Sequence, residues 1–305
     1  MDERLDPTRQ AAGRTSTLIS VLVNIILTVI QLAVGIFAHS QALVADAIHS
    51  FSDLLSDFVV LVANKHSQKA PDAEHQYGHL RFENAASLLL GVLLLSVGGG
   101  MLWSAFSKLQ NPGNIGTVHV AALAVALLAL VTKELLFRYL LAVGERVRSS
   151  MLIANAWHAR SDAASSLVVG VGILANLAGF PLADPLAALI VGLMIARMGW
   201  KFFSGSFSDL MDRAVDDDTE NRIRKHLLST HGVHGIHDLK TRKMGDMIWV
   251  EVDLEMEATL TIAQGHAIAV KAREQVMRHE PVLDVMTHFD PVDTIKKNIK
   301  AGSQA

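Results

Sequence analysis

Six apolar stretches, each long enough for a membrane-spanning helix, occupy the first two thirds of this 305-residue chain. The hydrocarbon core of a bilayer requires about 20 predominantly apolar residues in a helix. The predicted spans are about 16–38, 41–64, 83–107, 118–141, 151–178 and 184–204. Arg4, Arg9 and Arg14 precede the first stretch, as in a cleaved signal peptide, but its apolar region is too long for one and further spans follow. The chain is therefore predicted to be embedded in the lipid bilayer.

Basic residues mark one side of the predicted spans. They occur in residues 1–15, between the second and third spans, between the fourth and fifth, and at the end of the sixth. The opposite loops carry almost none, and cytoplasmic loops are the ones that accumulate Lys and Arg. Both termini are therefore expected in the cytoplasm, and the expected location is the inner (plasma) membrane.

After the last span the composition becomes that of an ordinary soluble domain, over residues 209–292. The predicted helices are 216–230 and 261–278, and the predicted strands are 238–244, 247–256 and 282–288. This order indicates a small α-β-β-α-β domain. The polar residues 293–305 are expected to be disordered. The predicted fold class is thus six transmembrane helices followed by a cytoplasmic α/β domain.

The residue content narrows the chemistry. The chain has no Cys, which excludes disulfides, thiolate metal sites and a cysteine nucleophile. Its formal net charge of −3 gives no reason to expect a nucleic-acid partner. With 14 His and no Cys, imidazole and carboxylate groups are the strong transition-metal ligands that remain.

Charged side chains inside two of the spans form a repeated motif. The pattern A-x-A-x-H-x-x-S-D occurs at residues 45–53 and again at residues 154–162. Its second position is Asp46 in the first copy and Asn155 in the second. His and Asp four positions apart project side by side from a helix. Two such helices facing each other would offer the imidazoles of His49 and His158 and the carboxylates of Asp53 and Asp162. This four-coordinate set suits Zn²⁺ and, less exclusively, Fe²⁺, Co²⁺ or Mn²⁺.

The motif leaves alternatives open, although ionisable groups inside a membrane are functional by default. The same residue types would serve a proton relay without metal, or a polar pair that joins two helices. Asn24, Thr28 and Gln31 are interpreted as a hydrogen-bonding seam between helices. Lys133 and Glu134 are interpreted as side chains that reach the membrane surface by snorkelling.

With these motifs the chain resembles the cation diffusion facilitators, membrane transporters that exchange divalent metal for protons and work as homodimers. The resemblance covers about Thr15 to Pro291, and within the family it is to the bacterial zinc/iron efflux type. It rests on both His-x-x-x-Asp pairs, on the loop 72–83 and on the junction 210–214. In the family, the His and Asp form on both helices tends to accompany zinc preference, whereas bacterial zinc/iron members usually carry two Asp on the second helix.

The resemblance implies further site residues. The transport site is His49, Asp53, His158 and Asp162. A loop metal site would use Asp72, His75 and His79, although a polar loop without metal fits these residues equally well. A cytoplasmic-domain site would use His237, Asp253, His266, His288 and Asp290, with Asp253 standing where close relatives have His. Arg81 and Asp212 match a structural charge pair. Asp46 and Asn155 are not matched to family positions, but they lie one turn before each His and Asp pair and are hypothesised to be outer or gating groups.

The function implied is proton-coupled export of Zn²⁺ from the cytoplasm by alternating access in a homodimer. Iron, manganese, cobalt and cadmium remain open as substrates. No cofactor is expected, and Zn²⁺ is expected as substrate and as a structural or regulatory ion. The alternative from another class is a membrane metal sensor that does not transport. An intramembrane metalloenzyme is disfavoured because the sequence lacks H-E-x-x-H, so the chain is not expected to be an enzyme.

Overall fold

Six long helices build the N-terminal part of the protein. The computed structural model describes residues 7–111, 117–147 and 150–292. The long helices are α1 (Pro7–Phe37), α2 (Gln41–Ser67), α3 (Arg81–Gln110), α4 (Val120–Arg146), α5 (Ser150–Leu177) and α6 (Ala183–Leu210). The tail 293–305, for which disorder was predicted, and residues 1–6 of the predicted N-terminal segment lie outside the described residues.

Four of these helices are long and apolar enough to cross a membrane, judged by length and composition. They are α3, α4, α6 and the Thr15–Phe37 part of α1. The other two, α2 and α5, have 27 and 28 residues, and they carry the repeated His and Asp motif. At 1.5 Å per residue both exceed the roughly 30 Å of the hydrocarbon core. The charged motif therefore lies on the two long helices with the weaker apolar signal.

Small residues allow α3 and α6 to pack backbone against backbone. A Cβ placed on Gly199 would lie 2.7 Å from the backbone nitrogen of Leu95. A Cβ placed on Gly98 would lie 2.8 Å from the backbone nitrogen of Ala196. Real Cβ atoms do not approach backbone atoms this closely, so these positions require glycine. Close approach of this kind is how helices associate where lipid removes the hydrophobic driving force.

The N-terminus of α2 is capped by a side chain from α6. Asp184 accepts a hydrogen bond from Ser40 Oγ at 2.6 Å and one from the backbone nitrogen of Gln41 at 2.7 Å. The carboxylate is buried. An anion at this position satisfies N–H groups that have no partner inside the helix and interacts favourably with the helix dipole. The N-terminal ends of α2 and α6 are thereby joined.

The C-terminal part forms an α/β domain. Its elements are α7 (Asp217–Leu228), β1 (Gly235–Met244), β2 (Met247–Glu257), α8 (Ile262–His279) and β3 (Val282–Val292). The sheet order is β1-β2-β3, with β1 antiparallel and β3 parallel to β2. Its core consists of buried side chains from both helices and the sheet, including Ile223, Leu227, Val250, Leu254 and Val276. The predicted α-β-β-α-β order is confirmed.

The chain divides into two compact units. The first comprises Met1–Val59 and Leu89–Phe202, and the second comprises Val60–Leu88 and Phe203–Ala305. The repeated His and Asp motif belongs to the first unit. The second unit contains the connection between α2 and α3 together with the α/β domain.

Candidate metal sites

Three of the four predicted transport ligands lie together between α2 and α5. Ligand atoms of His49, Asp53 and Asp162 are all within 4.8 Å of one another. In each motif the His nitrogen is 3.9 Å from the carboxylate oxygen of the Asp that follows it. Zn²⁺ binds nitrogen and oxygen ligands at about 2.0–2.2 Å. Small side-chain adjustments would therefore bring the three ligand atoms to one ion.

Two of these buried atoms have unused hydrogen-bonding capacity. Among the described residues, neither His49 Nδ1 nor Asp53 Oδ2 finds a hydrogen-bond partner. His49 is only 7% exposed. Buried polar atoms without partners are costly, and a cation held between them would satisfy both. The donor set and its unpaired atoms therefore fit a divalent metal ion.

His158, the fourth predicted ligand, lies beside this group rather than inside it. Its side chain is 56% exposed. It lines a cavity of about 40 Å³ together with Asp57 and Asn155, and Asp53 and Asp162 line the same cavity. A cavity needs only about 10–15 Å³ by this measure to hold one water, so this one has room for a water or a small ion. The structure thus brings three of the predicted ligands together and places the fourth at the edge of an ion-sized space.

Asp46 points away from this site into a polar network. Its carboxylate accepts hydrogen bonds from Gln31 Nε2 at 2.5 Å and from Ser166 Oγ at 2.7 Å. Ser165 Oγ lies 3.0 Å away, and Lys133 Nζ lies 3.5 Å away. The bond from Gln31 confirms that residue's predicted place in a hydrogen-bonding seam between helices. With all these partners, Asp46 is not free to bind metal.

Lys133 is buried, so its interpretation as a snorkelling side chain is wrong. It is 2% exposed, and its ammonium group contacts Ser50 Oγ at 3.1 Å and Ser166 Oγ at 2.8 Å. The Asp162 carbonyl oxygen lies 3.4 Å from the same nitrogen. Lys133 remains inside because Asp46 supplies the opposite charge and the hydroxyls complete its hydrogen bonds. Asp46, an acidic residue on another predicted span with no basic partner assigned to it, was the signal that could have revealed the burial of Lys133.

The loop between α2 and α3 brings its three predicted ligands together. Asp72 lies 3.4 Å from His75 Nδ1 and 3.3 Å from His79 Nε2. The backbone N–H groups of His75 and Glu74 donate hydrogen bonds to Asp72 at 2.7 and 3.0 Å. These bonds, that of His75 first, hold the pKa of Asp72 below its usual value. The carboxylate is therefore ionised at neutral pH and available to a cation.

The sheet places four of the five predicted cytoplasmic-domain ligands side by side. His237 is opposite Asp253 across β1 and β2, and Asp253 is opposite His288 across β2 and β3. His237 Nε2 lies 2.8 Å from Asp290, and His288 Nδ1 lies 3.6 Å from it. The register of three strands thus produces a compact group of imidazoles and carboxylates.

The fifth predicted ligand of that set is elsewhere. His266 is exposed on α8 and, within the part of the chain that the structure describes, belongs to no such group. Asp238, which sequence reasoning missed, lies with His237 and Asp253 instead. The irregular pairing of β1 after His237 and the positive φ of 49° at Asp238 turn this residue toward the group. A local backbone irregularity of this kind leaves no clear trace in the sequence.

The charge pair implied by the resemblance is present in the second unit. Arg81 forms a salt bridge with Asp212, and Arg242 lies 3.9 Å from the same carboxylate. Arg242 also lies over the rings of Tyr77 and Trp249. No motif in the sequence points to Arg242. Because exposed ion pairs contribute little, the contacts define a geometry more than a large stability.

Comparison with known proteins agrees with these features. A model of the cation efflux transmembrane domain matches residues 17–211, and a model of the cation efflux protein cytoplasmic domain matches residues 215–292. The chain is 33% identical over 301 residues to metal tolerance protein 2 of Oryza sativa subsp. japonica. The aligned region covers 90% of this chain and 77% of that protein.

A bacterial relative covers almost the whole of both proteins. The manganese efflux system protein MneS of Bacillus subtilis is 32% identical over 297 residues, or 95% of this chain and 99% of that protein. A solved structure of the metal-bound C-terminal domain of the CzcD transporter from Thermotoga maritima aligns with 24% of this chain and 87% of its own. Its sequence identity is 25% and its TM-score is 0.24. The two family models and the two relatives aligned over 90% or more of this chain show that it belongs to the cation diffusion facilitator family and is an efflux transporter of divalent metal cations.

Proposed function

We propose that this transporter exports Zn²⁺ from the cytoplasm in exchange for protons, through a site formed by His49, Asp53, His158 and Asp162. The observation that carries the proposal is the convergence of ligand atoms from His49, Asp53 and Asp162 within 4.8 Å. Two imidazoles and two carboxylates form a nitrogen and oxygen set that Zn²⁺ prefers. His158 completes the set by turning inward from the edge of the cavity when the ion arrives.

Proton coupling follows from the chemistry of imidazole. A His ligand must be neutral to bind metal, so a proton on His49 and a metal ion at the same nitrogen exclude each other. Protons arriving from the far side of the membrane would therefore displace the ion. The two Asp carboxylates supply two negative charges, which neutralise one divalent cation. Alternating exposure of this site to the two sides completes the exchange.

The α/β domain acts as a dimerisation and metal-sensing part of a homodimer in the plasma membrane, with both termini in the cytoplasm. The group formed by His237, Asp253, His288 and Asp290 supports this role, because it joins all three strands of the sheet. Zn²⁺ bound there, or at Asp72, His75 and His79, is a regulatory or structural ion and not cargo. Zn²⁺ at the intramembrane site is the cargo.

Manganese is the second candidate substrate. The observation that favours it is the 32% identity to a manganese efflux system protein over 95% of this chain. The two imidazoles favour zinc, since Mn²⁺ prefers sites composed mainly of oxygen ligands. The ion preference is therefore the first property to measure.

The test is metal flux in liposomes that contain the purified protein, an internal metal indicator and an acidic lumen. We expect Zn²⁺ uptake with simultaneous alkalinisation of the lumen, and faster uptake as the pH difference grows. Uptake that does not respond to the pH difference would overturn proton coupling. Faster transport of Mn²⁺, Fe²⁺, Co²⁺ or Cd²⁺ than of Zn²⁺ would overturn the substrate. Metal binding without any flux would favour the sensor alternative.

Homodimer formation and the role of the cytoplasmic group require a separate experiment. The mass of the protein in detergent should correspond to two chains. Spin labels on α8 of each chain should move relative to each other when Zn²⁺ is added. A His237→Ala/His288→Ala variant should lose this movement, while a His231→Ala variant should keep it. The same movement in the double variant would exclude these ligands from regulation.

A further inference from the structure

Lys133 is the buried charge that the proposed transport mechanism does not use. It is the largest fully buried side chain among the described residues, and it lies on α4, which contributes no ligand to the site. A charged side chain inside a membrane is expensive and is rarely retained without a function. The sequence offers no motif that explains it.

The network around Lys133 connects it to the transport site. Its ammonium group is 3.5 Å from Asp46 and 3.4 Å from the carbonyl oxygen of Asp162. Ser165 Oγ is 2.8 Å from that same carbonyl and 3.0 Å from Asp46. Asp46 itself is one helical turn before His49 on α2. The ion pair is therefore adjacent to the ligands and yet contributes none of them.

The formal charges in this region give a simple sum. Asp53 and Asp162 bring two negative charges to the metal, while Asp46 and Lys133 cancel each other. These four side chains together carry two negative charges, which one divalent cation neutralises. Without Lys133 the set would carry three negative charges, and without Asp46 only one. Asp57 also lines the cavity but is not among the converging ligand atoms, and its charge is the same in every variant below. In a low-dielectric interior one unit of charge at this range strongly affects ion binding.

We propose that Lys133 and Asp46 form a fixed ion pair that sets the charge of the transport site to match one divalent cation. The pair keeps the ion from binding so tightly that it cannot leave, and it disfavours binding of a second ion. This inference rests on the proposed function, because it takes the ligands to be His49, Asp53 and Asp162. Lys133 is a positioning and charge-setting residue, since it does not touch the ion.

The two single variants should act in opposite directions, which a purely structural role would not produce. Lys133→Met leaves Asp46 unbalanced, so the half-saturating Zn²⁺ concentration should fall about tenfold or more, and the maximal rate should also fall as release slows. Asp46→Asn leaves Lys133 unbalanced, so the half-saturating concentration should rise by a similar factor. If the network only joined helices, both variants would impair transport in the same direction.

Two further variants keep the test informative if a single variant misfolds. Lys133→Met/Asp46→Asn removes both charges and should stay within about threefold of the wild-type half-saturating concentration, since replacing both partners of a buried pair is tolerated. Lys133→Arg keeps the charge and should do the same. If the double variant folds but its half-saturating Zn²⁺ concentration differs more than tenfold from the wild-type value, the proposal is overturned.

The experiment measures initial Zn²⁺ and Mn²⁺ flux into liposomes, with each variant checked for a monodisperse chromatographic peak. Asp53→Asn is included to distinguish a failure of the charge-setting role from a failure of the proposed site. If Asp53→Asn abolishes transport while both single charge variants shift half-saturation the same way, the charge-setting role is refuted and the proposed site stands. If Asp53→Asn transports as well as wild type, the proposed site itself is wrong.

Discussion

Replacing Asp162 by Asn removes one charge from the proposed transport site with little change in shape. The three ligand atoms lie within 4.8 Å of one another, so a central point lies about 2.8 Å from each of them. To bind an ion at that point at about 2.1 Å, each ligand atom must move inward by less than about 1 Å. A four-ligand zinc site provides about 10–16 kcal/mol, or about 3 kcal/mol for each ligand. Asp162→Asn should therefore raise the half-saturating Zn²⁺ concentration by about 10²-fold.

The assay is zinc flux into liposomes over a range of external Zn²⁺ from below to well above the wild-type half-saturating value. Asp218→Asn is the matched control, because it makes the same chemical change on the exposed surface of α7 and should leave the curve unchanged. If Asp162→Asn stays within threefold of wild type in both half-saturation and maximal rate, Asp162 is not a ligand, and the reasoning from converging atoms fails.

Three other changes test separate parts of the molecule. His237→Ala should weaken Zn²⁺ binding by the cytoplasmic group at least about tenfold, measured by calorimetry in an Asp53→Ala background. Hydrogen bonds donated by Thr219 lower the pKa of Asp216. The ionised Asp216 carboxylate therefore contributes stability above about pH 4, and this contribution is lost as the pH falls through the lowered pKa. Asp216→Asn should cap α7 without this loss, seen as a smaller decrease in melting temperature between pH 6 and pH 3. Gly199→Ala should destabilise the protein by about 1–3 kcal/mol in thermal melts, because its Cβ would overlap backbone, whereas Gly205→Ala on the same helix meets open space and should be neutral or slightly stabilising.

The sequence was sufficient for features that follow from periodicity and hydropathy. Apolar length predicted six long helices, and alternation along Val250, Val252 and Leu254 predicted the central strand. The spacing of His49 and Asp53 placed both on one face of α2, because side chains four apart are neighbours on a helix. These predictions depend on local geometry, which a sequence specifies directly.

Pairings between distant segments could not be predicted in the same way. Lys133 and Asp46 are 87 residues apart, and only the tertiary fold brings their side chains together. The outward position of His158 depends on how α5 is rotated, which hydropathy constrains weakly because this helix is polar on more than one side. Asp238 joined the cytoplasmic group through a register shift in β1. Each of these results from tertiary contacts that leave little local signal.

The Asp184 cap has a consequence for motion. Its carboxylate is shared between the first turn of α6 and the first backbone nitrogens of α2, and it is shielded from solvent. Tilting α2 by itself would strip two short hydrogen bonds from a buried anion, which is costly where no water can replace them. Any gating movement that carries His49 and Asp53 must therefore pivot about this end or take α6 along. One carboxylate thus couples the helix that carries His49 and Asp53 to a helix that contributes none of the proposed ligands.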